Sequence, residues 1–300
     1  MGVYLNCFWQ PDGGGMNKAE RMGGPYHPYL PDTLADYEPL LSPSCASAVA
    51  DAQEALAKLE LSGSRIDTEP LARMMLRAEA VSSSRIEGLE MPAGRLLEYE
   101  ELDRLGVEHR LDGTEAQIIG NLHTLVDGLA RAEEGSPLTV DEVCELNRVL
   151  LAGTRLADRG GVIRAEQNWI GGNRINPVGA VYAPPPPDIV PALMEDLVAF
   201  TNRSELPSIA IAAIAHAQLE TIHPFADGNG RAGRALVHLI LKKGGTTRVT
   251  VPPISLLLAT DRERYIANLA AFRFEGDDEI VRREAVNGWV EYFARTTCEA

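Results

Sequence analysis

The segment HPFADGNGRAGR, His223 to Arg234, packs a histidine, an aspartate, three glycines and two arginines into twelve residues. Histidine exchanges a proton near neutral pH. Asp227 offers an oxygen ligand of the kind Mg2+ takes. Gly228, Asn229 and Gly230 lead from one helical stretch into another. A helix amino terminus presents unsatisfied N–H groups and partial positive charge to an anion. Glycine lets the backbone turn there and removes the β-carbon that would hold an anion away. Arg231 and Arg234, three residues apart, leave the same side of the first helical turns. Two guanidinium groups beside an anion nest fit a polyphosphate better than a lone carboxylate.

Other readings of these residues fail on context. Gly228, Gly230 and Gly233 spell G-x-G-x-x-G, but a dinucleotide fold needs a strand ahead of the first glycine. What precedes it is IAIAAIAHAQLETIHPF, alanine-rich and helical in pattern. A Walker loop is excluded because no Lys-Ser/Thr follows the glycines. No third His or Cys stands where it would complete a zinc site with His223 and Asp227.

The elements that must position this segment are helical. Patterns over 208–222 and 230–242 flank it, with Phe225 as the aromatic anchor of the loop between them. Upstream, SCASAVADAQEALAKLELSG places Val49, Leu56 and Leu59 on one side and stops at Gly63. EPLARMMLRAEAVSSSRIEG keeps Leu71, Met74, Met75 and Ala78 at helical spacing and ends on Gly88 as a cap. A further helix runs through EAQIIGNLHTLVDGLARAEE, and the next opens with Thr139 and Glu142 at capping-box spacing. Further helices are expected from Asp188, which is placed to cap the first of them, and over 261–274 and 279–296. NWIGGNRINPVGAVYAPPPP breaks the pattern and reads as a short exposed hairpin, Asn168 to Tyr182, leaving through a stiff polyproline segment. One hairpin among eight or more helices makes the fold class all-α. Residues 1–30, rich in Gly and Pro, read as a loose tail. Residues 31–109 then form an amino-terminal helical region, and 110–300 the core.

The chain has 300 residues and a formal charge of −15, which argues against broad binding to nucleic acid or an anionic membrane. Cys7, Cys45, Cys144 and Cys298 are scattered and suggest neither a zinc site nor a disulfide framework, as in a reducing cytosol. The amino terminus shows no signal-peptide pattern, and the most apolar run, Ser208 to Leu219, is too short to span a bilayer. A soluble, cytoplasmic protein is expected.

The twelve residues resemble the signature of the Fic family, H-x-F-x-[D/E]-G-N-G-R-x-x-R, with every defined position filled. WIGG, Trp169 to Gly172, and the helix after it resemble the family's target-docking flap, so Trp169, Ile170, Gly171 and Gly172 are expected to align a target segment. The resemblance implies transfer of AMP from ATP to a Ser, Thr or Tyr hydroxyl of a target protein. His223 would be the base and Asp227 the Mg2+ ligand. Gly228, Asn229 and Gly230 would cradle the phosphates, Arg231 would neutralise the leaving pyrophosphate and Arg234 would hold the γ-phosphate. Tyr265 would line the adenine pocket. SSSRIEG, Ser82 to Gly88, resembles the family's inhibitory motif [S/T]-x-x-x-E-[G/N], with Ser83 and Glu87 one helical turn apart; Glu87 would pair with Arg234 and, as in some relatives, could also position a water to remove AMP. Some relatives carry a carboxy-terminal winged helix, for which the residues up to Ala300 leave no room, so DNA binding is disfavoured. Two other functions stay open: transfer of phosphate or phosphocholine on the same fold, and a nucleotide-sensing module with little chemistry. His27, His109, His123 and His238 read as ordinary core or surface residues, and His216 as a candidate support behind the motif.

Overall fold

The computed structural model describes residues 2–10, 21–63, 69–107 and 113–300. Eleven α-helices are present among them: α1 (Pro43–Gly63), α2 (Glu69–Ile86), α3 (Ala93–Arg104), α4 (Gly113–Arg131), α5 (Val140–Leu151), α6 (Val190–Arg203), α7 (Ser208–Ile222), α8 (Asn229–Lys243), α9 (Ile254–Thr260), α10 (Arg262–Phe272) and α11 (Glu279–Glu299). The fold class is all-α, as the spacing predicts. α7 is the centre, with nearly every side chain buried, which is why its sequence is apolar on all sides rather than along one stripe. α6, α8, α10 and α11 pack around it, and α1 crosses both α11 and α7. One hydrophobic cluster runs from Leu34 to Ala294, so the region before residue 110 shares its core with the region after. Among the described residues no helix is long and apolar enough to cross a membrane.

Several local expectations hold in detail. Glu142 N–H donates to Thr139 Oγ1 (3.2 Å) and Thr139 N–H to Glu142 Oε2 (2.8 Å), completing the capping box. α2 ends on Gly88 at φ +78°, with Leu89 N–H donating to Ser84 O (3.1 Å) and Gly88 N–H to Arg85 O (2.9 Å). That paired pattern fixes Glu87 at the very end of the helix. Asp188 does not cap: it lies in a single 3-10 turn, Pro187–Ile189, and α6 opens without a side-chain cap. Pro191 in its first turn has no N–H to satisfy. Helices α3 and α9 were not foreseen. α3 lacks an apolar stripe, with Leu96 buried beside an exposed Leu97, and α9 is only seven residues long.

The amino terminus differs from a loose tail where it is described. β1 (Val3–Tyr4) pairs antiparallel with β4 (Tyr29–Leu30), and β2 (Cys7–Trp9) with β3 (Gly24–Tyr26), in the register Phe8 opposite Pro25. Gly and Pro here punctuate short two-stranded ribbons, whose edges tolerate a residue without an N–H; residues 11–20 lie outside the described set. The Asn168–Tyr182 hairpin shrinks to one bridge, Ile170 with Tyr182. Asn173 Oδ1 accepts the N–H groups of Ile175 and Asn176 (both 2.8 Å), a side-chain turn that competes with a ladder. The proline run is packed rather than exposed: Gln167 donates to Pro184 O (2.9 Å) and Arg164 to Pro185 O (2.6 Å).

A β-carbon at Gly88 would meet nothing within 4 Å, so any penalty there is purely conformational. Gly88→Ala is therefore expected to cost about 1 kcal/mol, the price of a left-handed alanine, read as a lower midpoint in urea unfolding.

Candidate active site

His223 caps the carboxyl end of α7 in the left-handed conformation (φ 50°, ψ 59°), unlike any other non-glycine residue described. Its geometry is over-determined by its neighbours. Its N–H donates to Leu219 O (2.8 Å), and its carbonyl accepts from Arg164 Nε (2.8 Å) and Asn168 Nδ2 (3.3 Å). The buried Arg164 guanidinium also reaches Ile222 O (3.3 Å), Pro185 O (2.6 Å) and Glu166 O (3.1 Å). A cation at the carboxyl end of α7 suits the helix dipole. Burial pushes the imidazole pKa down to about 4, with the Arg273 and Arg164 charges acting in the same direction. The ring is neutral at physiological pH, as a proton acceptor must be.

The loop after it is braced from inside. Phe225 is fully buried. Asn229 accepts from Phe225 N–H (2.8 Å) and donates to Phe225 O (2.9 Å), so its side chain closes the loop while its backbone starts α8. Asn147 Nδ2 holds Asp227 O (2.9 Å) and its Oδ1 accepts from Gly161 N–H (3.0 Å). Gly228 is required twice over: φ is +77°, and a β-carbon would lie 2.6 Å from Leu150 Cδ2. No side chain caps α8, leaving its first N–H groups to the loop. The Asp227 carboxylate is half-exposed, with Oδ1 accepting from Gly228 N–H (2.7 Å) and Oδ2 3.8 Å from Arg231.

The two arginines diverge instead of sharing one face. Arg231, 2% exposed, points to α4, donating to Gln117 O (3.3 Å) and Gln117 Oε1 (3.1 Å) and leaving its Nε without a partner. Arg234, equally buried, points to α2. Its Nε donates to Ser83 Oγ (2.9 Å), and its Nη2 to Ser83 O and to Glu87 Oε1 (both 2.7 Å). Any β-carbon at Gly230 would overlap Glu87 Oε1, so the carboxylate lies directly against the start of α8. Burial opposes ionisation of Glu87, but Arg234 outweighs it, with smaller contributions from Arg231 and His223, and the carboxyl is held below its ordinary range. Its side chain keeps 38% exposure, so solvent still reaches it from one side. For Arg234 burial again opposes the charge, and Glu87, Tyr265 and Glu220 overcome it, raising the pKa.

These contacts form a ladder between antiparallel helices. Residues 79 and 83 of α2, and residue 87 just past its end, meet 238, 234 and 230 of α8, each step about one helical turn. At the far rung buried Glu79 accepts from Ser255 N–H (2.7 Å) and Ser255 Oγ (2.5 Å) and lies 3.0 Å from His238 Nε2. His238 is thus a core residue, as read from the sequence; His27 is exposed, His123 sits against the Tyr99 ring, and His109 lies outside the described residues. His216 is a support: its Nε2 is 2.7 Å from Tyr265 Oη, which lies 3.4 Å from Arg234 Nη1. Tyr265 is 2% exposed and stands behind Arg234, so its geometry gives no support to an adenine contact. In the segment expected to act as a flap, Trp169 Nε1 donates to Asn173 O (2.8 Å), Ile170 is exposed, and Gly171 and Gly172 are exposed with φ of 73° and 74°. Arg164, Asn168, Asn147 and Gln117 carried no sequence signal, because each acts through a contact distant in the chain.

Residues 137–241 match the model of the Fic/DOC family, and residues 46–117 that of the Fic/DOC family N-terminal region. The chain belongs to the Fic/DOC family. Protein adenylyltransferase fic-1 of Caenorhabditis elegans is 32% identical over 149 residues, 47% of this chain and 26% of that protein. A probable protein adenylyltransferase of Aquifex aeolicus is 38% identical over 92 residues, 30% of this chain and 26% of the relative. The matches thus span about a quarter of the length of these relatives. A Fic family protein from Desulfovibrio desulfuricans shares the fold with a TM-score of 0.65 at 22% identity, covering 88% of this chain and 75% of its own. A Fic domain protein from Bacteroides thetaiotaomicron does so at 0.63 and 20%, covering 84% and 94%.

Within this Fic/DOC site no group of three or more His, Cys, Asp or Glu residues among those described could hold a metal alone. The single half-exposed Asp227 at the start of α8 fits a cation that takes most of its ligands from phosphates and water. Under the site, Glu220 is buried with one carboxylate oxygen unpartnered. Burial, helped by the Glu87 charge and opposed by Arg234 and Arg273, pushes its pKa up to about 7. The folded chain therefore binds this proton more tightly than the unfolded one, and stability falls as pH rises from about 4.5 through 7. Glu220→Gln is expected to stabilise the protein by about 2 kcal/mol more at pH 8 than at pH 5, read from urea unfolding at both.

Proposed function

We propose that the chain transfers AMP from ATP to a Ser, Thr or Tyr hydroxyl of a target protein and of itself, and that Glu87 holds this transfer in check. The observation that carries the reading is the Glu87–Arg234 contact across Gly230, next to a neutral histidine. The substrate's triphosphate lies along the first turn of α8, on the amides of Gly228, Asn229 and Gly230. His223 takes the proton of the incoming hydroxyl as its oxygen bonds the α-phosphorus and the bond from that phosphorus to the pyrophosphate oxygen breaks. Arg231 neutralises the departing pyrophosphate, helped by its unpartnered Nε, and Arg234 holds the γ-phosphate. Asp227 would hold Mg2+, which neutralises phosphate charge when bound. Such a reaction needs chiefly positioning and charge stabilisation. The flap, Trp169 to Gly172, aligns the target backbone by strand addition.

In the resting chain Glu87 occupies the guanidinium that the γ-phosphate needs and adds negative charge beside it. Glu87→Gly is expected to raise AMP transfer at least tenfold, and His223→Ala to abolish it. Incubation with labelled ATP and Mg2+ followed by intact-mass measurement checks both, and the mass of the adduct separates AMP from phosphate. Equal labelling of the wild type and Glu87→Gly would remove the inhibitory role.

A further inference from the structure

Both family matches begin beyond residue 45, so the ribbons formed by residues 2–10 and 21–30 belong to neither. They touch the flap at three separate places. On the outgoing arm the Trp9 ring meets the Trp169 ring edge-on, centroids 5.9 Å apart at 68°, and Trp9 is itself held by Tyr26 at 6.3 Å. On the returning arm Gly24 packs so closely on Val178 that a β-carbon would approach it to 3.2 Å. At the foot Tyr29 N–H donates to Ala183 O (2.8 Å), beside the Ile170–Tyr182 bridge. The ribbons are in turn anchored to the α10–α11 turn, where Tyr29 Oη donates to Phe274 O (2.6 Å) and Gly276 N–H to Gly2 O (2.9 Å).

The flap needs such a brace. One bridge of its own closes the loop between Ile170 and Tyr182, and a lone two-stranded element is marginal in water. Neither Trp9 nor Trp169 belongs to the main hydrophobic core, so their contact contributes to the flap's position rather than to the fold's integrity. We infer that the paired strands of residues 2–10 and 21–30 position the flap, with Trp9 as the principal positioning residue, so that a target segment meets a preformed edge near His223. This rests on the flap reading given above.

The test uses the full chain in the Glu87→Gly background, with Trp9→Ala and the conservative Trp9→Phe. Arg174 is exposed two residues beyond the flap, in the loop that the Ile170–Tyr182 bridge closes, and trypsin cleavage after it reports opening of that loop directly. Trp9→Ala is expected to speed that cleavage about tenfold and, at saturating Mg·ATP, to lower self-labelling about fivefold, with ATP affinity within about twofold of the parent. Trp9→Phe should restore most of both. Cleavage at the parental rate in Trp9→Ala overturns the bracing role. A parent that never labels with ATP contradicts the AMP-transfer reading instead, and the cleavage comparison still decides the brace.

Discussion

A guanidinium that is almost wholly buried must have its N–H groups satisfied and its charge offset, and the way Arg234 meets that requirement organises the site. The chain meets it internally. Ser83 supplies an oxygen from its side chain and one from its backbone, and Glu87 supplies the charge. The Glu87 carboxylate is also the partner with the most solvent around it, standing at a helix carboxyl end where a negative charge is poorly placed. It is thus the replaceable member of the set. A phosphate could take its position without unsettling the buried Ser83 contacts, which leave Arg234 oriented in either state.

The histidine obeys a different constraint. A left-handed non-glycine residue is strained, and it persists where surrounding contacts fix it. Arg164 and Asn168 fix it here by gripping the carbonyls of residues 222, 223 and 225, while Gln167, between them, grips Pro184. The flap begins at the next residue. His223 and the Trp169–Gly172 segment therefore hang from one short stretch of chain, and a displacement of either is felt by the other. Burial that keeps the imidazole neutral comes from the same close packing.

The legibility of this in the sequence follows the range of the forces involved. The loop from His223 to Arg234 concentrates its chemistry in twelve residues, and its helices, the Thr139 cap and the Gly88 stop are local patterns. The pairing of Glu87 with Arg234, from residues 147 positions apart, came only through resemblance to a family. Arg164 and Asn147 gave no signal, since an isolated arginine or asparagine looks like surface until its distant carbonyls are known. The ribbons were missed because Gly and Pro mark loops and short strands alike, and the spacing around Tyr265 shows a helix face but not that its hydroxyl lies 3.4 Å from Arg234 Nη1.

The central claim is that a carboxylate and a terminal phosphate compete for one buried cation. Titration calorimetry of ATP and ADP into the wild type and Glu87→Gly tests it most directly. The account predicts that the substitution tightens ATP by about tenfold while changing ADP little, since only ATP carries the phosphate that Arg234 would hold. Equal gains for both nucleotides, or none for ATP, would contradict it.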